Sequence, residues 1–535
     1  MPATMDAAAE GRLKDYFERI GQVLGNDARR TSFAIYAMGI LGEGKRKSVE
    51  PIVARACIDP DRMDAAHQRL LHFMVDSEWS DHGVRRAAAR YALDAMIARE
   101  PVEAWVVDDT GFLKQGRHSV GVQRQYTGTA GKIANCQTAP SLTIATRTEQ
   151  LPIDFALYLP TSWTEDRARR DEARIPWNVS FATKPELALQ LIRRAVEDGI
   201  PPGVVLADKA FGASEDFRDG LDELKLSYAV AVDARSKVMV YDKRGRRRDE
   251  SISAKKLAIR IESNGGFRRC TWRQGTKQAL SAQFALRRVV WAGKPGKDNR
   301  AVDGRKPVWL LIEWRDGEPE PANYYFCSLS AERMTRKKLV RLVMQRWRTE
   351  RAYEDLKGEL GLDHYEGRRF PGWHHHVSVV LACHAFVVAE RARVLFSAAR
   401  RSLEDDTQSL AACAPLPRQL HHRAARDRAL GRAVAAAVPD VPPLGQAASE
   451  TANTTVARSA TMRRVQLVSS MIASAGYDAL ARVLEIEFLS GAVYQYADVS
   501  PDLYEALLRA PSHGRLFHTR IRNAFRCRRA EVAGM

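Results

Sequence analysis

Long apolar runs are missing from this chain. No stretch of about eighteen uninterrupted apolar residues occurs, so a helical membrane span is not expected. The best candidate, 377–388, is too short and carries His384. The first residues, MPATMDAAAEGRLKDYF, have no apolar stretch of the kind a secretory signal needs, so no export is expected. Cysteine is scarce as well: seven, at positions 57, 136, 270, 327, 383, 413 and 527, odd in number and with no Cys-x-x-Cys pair. That pattern excludes a disulfide framework and a zinc site and fits reduced thiols in a cytoplasm. Acid is in short supply too, 65 Asp+Glu against 83 Lys+Arg, for a net charge of +18. What is present is ample apolar material, 45% of 535 residues, which excludes global disorder and implies about two to four domains. The excess positive charge points to a polyanionic partner, nucleic acid first.

Residues 1–100 read as a helical N-terminal domain, with apolar positions at helical spacing in Leu13, Phe17, Ile20 and Leu24 and again in Leu70, Phe73 and Met74. The pattern then changes. Glu103 to Asp108 is a short apolar run ending in acid, and Cys136 to Thr146 and Leu151 to Leu159 read as strands. A helix over Lys184 to Asp198, with Pro185 in its first turn, leads to a strand at Gly203 to Ala207, a helix at Ser214 to Lys225 and a strand at Ser227 to Val232. A meander followed by alternating helix and strand implies an α/β fold with a mixed sheet. Residues 233–330 read as a β-rich insertion with basic turns, including Arg246 and Arg247. One long helix is expected from Thr335 to Leu360 and another from His374 to Arg401. The Ala/Pro/Arg-rich stretch 401–461 reads as a disordered linker. A small α+β domain follows at 462–535, with a hairpin whose turn is Ser490-Gly491 and a helix at Pro501 to Ala510.

Three acids stand where two-metal phosphoryl transfer needs them: Asp108 at a strand end, Asp208 after Val204-Val205-Leu206-Ala207, and Glu350 on the long helix. Mg²⁺ takes near-octahedral oxygen coordination from a few carboxylates and substrate phosphates, and two such ions activate an attacking oxygen and stabilise a departing one. A strand-terminal Asp taken alone is as readily a turn or helix cap.

The order of these elements resembles the RNase H-like catalytic domain of DDE transposases. The stretches VVDDTGFLKQGRHSVGVQRQYTGTAGKIANCQTA (106–139), VVLADKAFGASEDFRDGL (204–221) and RWRTERAYEDLKGELGLDHYEGRRFPGWHHH (346–376) resemble the insertion-sequence 701 family, related to the insertion-sequence 4 group. The resemblance covers about residues 10–400. It implies metal-dependent DNA cleavage and strand transfer at insertion-sequence ends with two Mg²⁺ or Mn²⁺ ions. It also implies double-stranded DNA as partner, at transposon ends and target, a homodimer when DNA-bound, no membrane, and a bacterial cytoplasmic, nucleoid-associated location. Asp108, Asp208 and Glu350 would hold the metals. An Asp-x-Thr pattern favours Asp108 as the first acid, whereas an immediate Asp-Thr pattern favours Asp109, and Glu354 is the fallback for Glu350. The related group's Tyr, Arg, Glu, Lys pattern is met by Arg346, Glu350 and Lys357, with Val343 at the Tyr position. Arg346 and Lys357 share a helix face with Glu350 and suit phosphates flanking the scissile one. A nuclease that cuts without transfer and an inactive domesticated DNA-binding protein are the alternatives.

Lys114, Arg117 and Arg124 make the glycine-rich segment after Asp109 a DNA-contacting loop, set against a merely flexible one. Trp373 suits stacking on an unpaired base, or plain packing. Three adjacent histidines, 374–376, cannot all face one ion on a helix, and a polar helix start near DNA is expected instead. The basic runs at 243–248, 268–269, 287–288 and 294–306 suit DNA backbone binding. Near the C-terminus, Gly476-Tyr477-Asp478, Leu484 to Phe488, Val493-Tyr494 and Ala510-Pro511-Ser512 resemble a KTSC domain over about 467–525, with a basic tail that includes Arg520, Arg528 and Arg529. The stretch 417–444 does not resemble the transposase family's ending, which suggests a frameshift fusion after about Cys413 into a reading frame beginning at Met462. The DNA sequence decides that point: the idea falls if no overlapping frame encodes the missing ending. The charge divides as +14 over residues 1–400, +1 over 401–461 and +3 over 462–535, so the polyanion belongs with the body.

Overall fold

A computed structural model describes residues 7–57, 60–242, 244–274, 279–292, 305–329, 335–405, 464–467, 469, 472–488, 493–510, 513–521, 525 and 527–529. The expected linker beyond 405, the site of the suspected fusion, most of the basic run 294–306 and the Ser490-Gly491 turn lie outside them. The chain divides into two units, Met1–Val441 and Pro442–Met535.

The first unit opens with helices α1 (Ala7–Leu24), α2 (Asp27–Leu41), α3 (Val49–Ala56), α4 (Met63–Val75) and α5 (Asp81–Ile97). Side-chain oxygens start two of them: Asn26 accepts from Arg29 N and Ser80 from Gly83 N. A twelve-stranded mixed sheet follows, in the order β2-β3-β1-β5-β6-β12-β11-β10-β7-β8. Its first strands are β1 (Ala104–Leu113), β2 (Gln123–Thr127), β3 (Lys132–Ala145), β4 (Gln150–Phe155), β5 (Val204–Ala207) and β6 (Tyr228–Val232). β1 pairs antiparallel with β3 and parallel with β5, and β5 parallel with β6, while β4 pairs with β3 off the main path. The region expected as an insertion continues the same sheet. β7 (Lys237–Tyr241), β8 (Arg247–Ser253), β9 (Arg268–Gln274), β10 (Ala279–Trp291), β11 (Val308–Trp314) and β12 (Asn323–Cys327) join it through the β12–β6 pairing, with β9 beside β10 off the main path.

Between the strands lie short helices α6 (Thr161–Thr164) and α7 (Arg167–Ala173), then α8 (Lys184–Glu197), α9 (Lys209–Gly212), α10 (Glu215–Glu223) and α11 (Ala254–Glu262). A full capping box starts α8, with Thr183 and Glu186 satisfying each other's backbone N–H. The central strands are buried on both faces. Trp105, Val107, Val205, Ala207, Tyr228 and Val230 face the main core, whereas Ala104, Val106, Leu206 and Ala229 face a second cluster.

The single helix expected from Thr335 to Leu360 is broken. It forms α12 (Arg336–Val343), a 3₁₀ turn (Met344–Arg346) and α13 (Trp347–Gly358). The reason is where each piece buries its apolar face: Leu339, Val340, Leu342 and Val343 join the second cluster, while Tyr353 and Leu356 join the main core. One straight helix cannot serve both. The closing helix α14 (Phe370–Asp405) starts earlier than expected and packs along α5, with Tyr16 Oη donating to Ala382 O at 2.7 Å.

The second unit is a five-stranded antiparallel sheet, β13 (Arg464–Gln466), β14 (Ile472–Asp478), β15 (Val483–Phe488), β16 (Val493–Tyr496) and β17 (Cys527–Arg529), in sequence order. Helix α15 (Pro501–Arg509) follows β16, capped by Ser500 with Pro501 at its first position. Its own core includes Ile472, Leu484, Ile486, Leu507 and Phe517.

One buried cation ties the N-terminal helices to the sheet. Arg85 of α5 is 4% exposed and pairs with Asp154 of β4 at 2.9 Å and Asp81 at 2.7 Å, while donating to Ser378 Oγ of α14. Removing it leaves the buried Asp154 with only the half-buried Arg194, and Asp81 without its ion-pair partner. Arg85→Met is therefore expected to cost about 3–5 kcal/mol of stability, read from urea unfolding of the full chain. A loss under about 1 kcal/mol, the level of a surface ion pair, would show that Arg85 is not the tie.

Candidate active site

Register alone brings the first two acids together. The parallel ladder of β1 and β5 ends at Val107 opposite Ala207, so Asp108 and Asp208 are the next residue on each strand. Asp108 does not end its strand as expected. β1 runs on to Leu113 against β3, with Asp108 opposite Ser141. The strand continues because antiparallel β3 is longer than parallel β5, which turns away into α9. Asp208 caps that helix, its Oδ1 accepting from Ala210 N at 2.9 Å and Phe211 N at 3.4 Å. The cap fixes one oxygen and leaves the carboxylate's other acceptor positions for a ligand.

Alternation along β1 separates the two candidate first acids. Asp108 shares parity with Ala104 and Val106 on the second-cluster face, Asp109 with Trp105 and Val107 on the main-core face. Asp109 is held there by an ion pair with Lys184 Nζ, the first residue of α8. Asp108 faces Arg346, whose Nη2 lies 3.5 Å from Asp108 Oδ2. Burial, and then the negative charges of Asp208 and Asp109, push the Asp108 carboxyl up to about 6, although Arg346 pulls it down.

Glu350 and Glu354 are both exposed on α13, and Glu354 lies 3.7 Å from Arg351. The helix is laid over β1 and β4, with Tyr353 Oη and Ser141 Oγ 2.6 Å apart and Lys357 Nζ donating to Gly111 O at 2.7 Å. Arg346, just before the helix, and Lys357 near its end both reach β1, and helical spacing puts Glu350 on the same side of α13 as Lys357. Among the described residues, no three His, Cys, Asp or Glu side chains gather closely enough to hold a metal ion.

The residues expected on DNA divide into two groups. Arg117 and Arg124 are exposed. Lys114 donates to Tyr365 O, and burial lowers its pKa and that of Lys357. Arg246 folds back on Asp242 at 3.1 Å and closes its own turn, and Arg247 lies in β8 opposite Tyr241. Trp373 is 1% exposed with its ring edge-on to Phe112, so it offers no face to a base. The three histidines are packing groups, not a polar helix start. His375 stacks on Trp79, His376 lies between Tyr36 Oη and Gly361 O, and burial lowers the pKa of His374 and His376 to about 4.

Sequence reasoning missed the Lys184–Asp109 pair and the Tyr353–Ser141 contact, since each joins residues distant in the chain and neither has a local signature. It also assigned Arg346 to phosphate alone, whereas here it partners Asp108. Arg346 Nε is buried without a hydrogen-bond partner among the described residues, which leaves part of its donor fork for another acceptor.

Two hard-oxygen acids with raised charge repulsion, beside an arginine, fit a divalent-cation site better than a structural ion pair. The electrostatics also give a test. An unfolded aspartate titrates near about 4, so between about 4 and 6 the folded chain holds a proton on Asp108 that the unfolded chain has released. Stability therefore falls as pH rises through this window, and the loss is complete above about 6. In metal-free buffer, Asp108→Asn is expected to be about 1–3 kcal/mol more stable than the natural chain at neutral pH, with the gain shrinking near pH 4. Urea unfolding at both pH values measures it, and no gain at neutral pH would refute the strained-acid reading.

Comparison with known proteins gives the following. The family description "DDE superfamily endonuclease" matches residues 19–279, "Transposase DDE domain" matches 182–386, and "KTSC domain" matches 468–525. A protein of Microchaete diplosiphon described as "Probable transposase for insertion sequence element IS701" is 29% identical over 202 residues, 38% of this chain and 48% of that protein. The match thus spans about half the length of that relative. An uncharacterized protein of Stutzerimonas stutzeri is 51% identical over 57 residues, 11% of this chain and 80% of its own. A solved KTSC domain protein from Yersinia pestis is 38% identical, covered over 100% of its length and 13% of this chain, with a TM-score of 0.13.

Proposed function

We infer that this chain, which carries DDE transposase domains in its body and a KTSC domain toward its C-terminus, is a transposase that cuts and joins DNA at insertion-sequence ends. The observation that carries this reading is the placement of Asp108 and Asp208 at the end of one parallel ladder, with Arg346 on Asp108; helical spacing from Lys357 supports Glu350 on the same side of α13. The body is an RNase H-like catalytic domain. Support comes from the strand sequence β4, β3, β1, β5, β6, antiparallel through the first three and parallel through the last three.

Asp108, Asp208 and Glu350 are the residues that would hold two Mg²⁺ or Mn²⁺ ions, which when bound supply Lewis-acid stabilisation of the attacking and leaving oxygens. Asp109 is the weaker candidate for the first acid, because Lys184 already neutralises it. Arg346 serves two charges in turn, the Asp108 carboxylate and the phosphate beside the scissile bond. Lys357, anchored on Gly111 O, marks the strand end over which the backbone passes. Water attacks the phosphodiester first and frees a 3′-hydroxyl; that hydroxyl then attacks target DNA and expels a new 3′-oxygen. No bond to protein forms in either step. Two transposon ends require two active sites, so the working form is a homodimer on DNA, at the nucleoid of a bacterial cytoplasm.

The test uses 3′-labelled element ends with Mg²⁺. Asp108→Asn, Asp208→Asn and Glu350→Gln are each expected to lose cleavage and joining by about a thousandfold or more, the scale of a lost electrostatic element. Asp109→Asn and Glu354→Gln are expected to keep activity within about tenfold. Cleavage without any joined product would make the chain a nuclease instead.

A further inference from the structure

The hairpin of β2 and β3 forms one edge of the sheet, and its tip is fastened next to the candidate active site. The strands close at Thr127 opposite Lys132, around the tip Gly128-Thr129-Ala130-Gly131. Within it, Ala130 N donates to Thr127 O and Gly131 N to Gly128 O, both at 3.2 Å. One hydroxyl ties the tip to β1 and α13. Gly111 N donates to Thr129 Oγ1 at 3.1 Å, and Thr129 Oγ1 lies 3.3 Å from both Gly111 O and Lys357 Nζ. Gly111 admits this contact because it has no Cβ; one built there would run into Thr127 Oγ1. Gly111 is three residues beyond Asp108 on β1, about 10 Å at the rise of a strand, a length of about three base pairs of duplex.

One side of the hairpin is bare. Tyr126 and Ile133 stand directly opposite each other, 64% and 61% exposed, with exposed Arg124 and Lys132 beside them. We propose that this hairpin is an arm that grips duplex DNA entering the active site, with Arg124 and Lys132 on phosphates and the Tyr126–Ile133 pair in the major groove. The proposal rests on the transposase reading above.

Charge selects DNA as the occupant. From Thr110 to Thr148 the chain holds Lys114, Arg117, Arg124, Lys132 and Arg147 and no Asp or Glu. Acids of other elements answer only some of these. Glu100 pairs with Arg147 at 2.9 Å, Asp363 and Glu366 face Lys114, and Glu172 lies 4.0 Å from His118, next to Arg117. Asp109 is taken by Lys184, and Glu354 lies 3.7 Å from Arg351. Among the described residues, Arg124 and Lys132 have no ion-pair or side-chain hydrogen-bond partner. Shape agrees, since a two-stranded ribbon fits the major groove and Gly128, Ala130 and Gly131 keep the tip slender. Self-association is disfavoured: Tyr126 offers at most about 250 Å² and Ile133 less, whereas a stable dimer needs about 800 Å² per partner. A second copy of the same arm would also set cation against cation.

The experiment is fluorescence anisotropy of the full-length chain on a generic duplex in Mg²⁺-free buffer, over about 50 to 200 mM KCl. Arg124→Ala combined with Lys132→Ala is expected to bind about tenfold or more weakly and to lower the slope of log affinity against log salt by about 1.8, at about 0.9 per phosphate. Arg124→Lys combined with Lys132→Arg keeps both charges and should restore the slope. Tyr126→Ser combined with Ile133→Ser should weaken binding with the slope unchanged. The thermal midpoint should not move in any of them, because all four side chains are exposed. As a control, Lys256→Ala combined with Arg260→Ala removes two exposed cations of α11 and should keep the slope within about 0.5. An unchanged slope without Arg124 and Lys132, natural affinity without Tyr126 and Ile133, or an equal fall in the α11 control overturns the arm and leaves the transposase reading intact. A dimer of the natural chain that Tyr126→Ser with Ile133→Ser dissolves without DNA overturns it in favour of self-association. If the natural chain does not bind the duplex, the transposase reading fails and the arm with it.

Discussion

The position of the acids depends on a buried guanidinium far from them in sequence. Arg85 binds Asp154 of β4, Asp81 at the start of its own helix and Ser378 of α14, and Arg194 of α8 reaches the other oxygen of Asp154 at 3.0 Å. Four elements that sequence distance would leave independent are thereby fixed in register: α5, α8, α14 and the strand beside β3. Burial by itself would raise the Asp81 carboxyl, yet Arg85 outweighs it and holds the group well below the ordinary carboxylate range. The attraction between Arg85 and Asp154 survives because both are buried, where such pairs are screened little. With α8 so held, Lys184 sits at Asp109, and with α14 and the helices before it held, α13 is pressed onto β1.

Charge is used in opposite ways at these two places. Around Arg85 the acids are matched by cations and stabilise the fold. At Asp108 and Asp208 like charges are forced into adjacent positions, and among the described residues one arginine, at the edge of hydrogen-bonding range from Asp108, offsets them. A fold selected for stability alone would place an amide there. The strain is affordable only because the surrounding sheet is buried on both faces and cannot relax. An acid pair left under-neutralised in this way is one whose repulsion a bound cation would relieve.

Much of this was legible in the sequence. The apolar runs at 204–207 and 228–232 and the capped start at Thr183 mark β5, β6 and α8 nearly to the residue. The candidate acids Asp108 and Asp208 stood out because each follows such a run. Three things were not legible. The break at Met344–Arg346 was hidden because every residue there is an acceptable helix former, and only the two separate burial sites force it. That β12 returns beside β6, so that the β-rich region 233–330 extends the same sheet, is a long-range pairing with no local signal. The histidines and Trp373 looked functional because rare residue types in a row attract attention, whereas burial against Trp79, Tyr36 and Phe112 is visible only once α14 is packed.

Positive charge, the first hint of a nucleic-acid partner, turns out to be a poor map of where that partner lies. Lys114 and Lys357 hold backbone carbonyls, Arg246 closes a turn, Arg170 clamps a loop and Arg85 is buried. Each of these cations supports backbone or fold within the protein rather than standing free for a phosphate. A residue count cannot make that distinction, since an arginine that organises a loop and an arginine that meets DNA have the same composition. What separates them is the partner already present. Exposed cations remain on the segments after β1 and before α8, Arg117, Arg124 and Arg167 among them, and also far from these in sequence, as at Lys225, Arg260 and Lys337, so exposure alone does not locate a polyanion either.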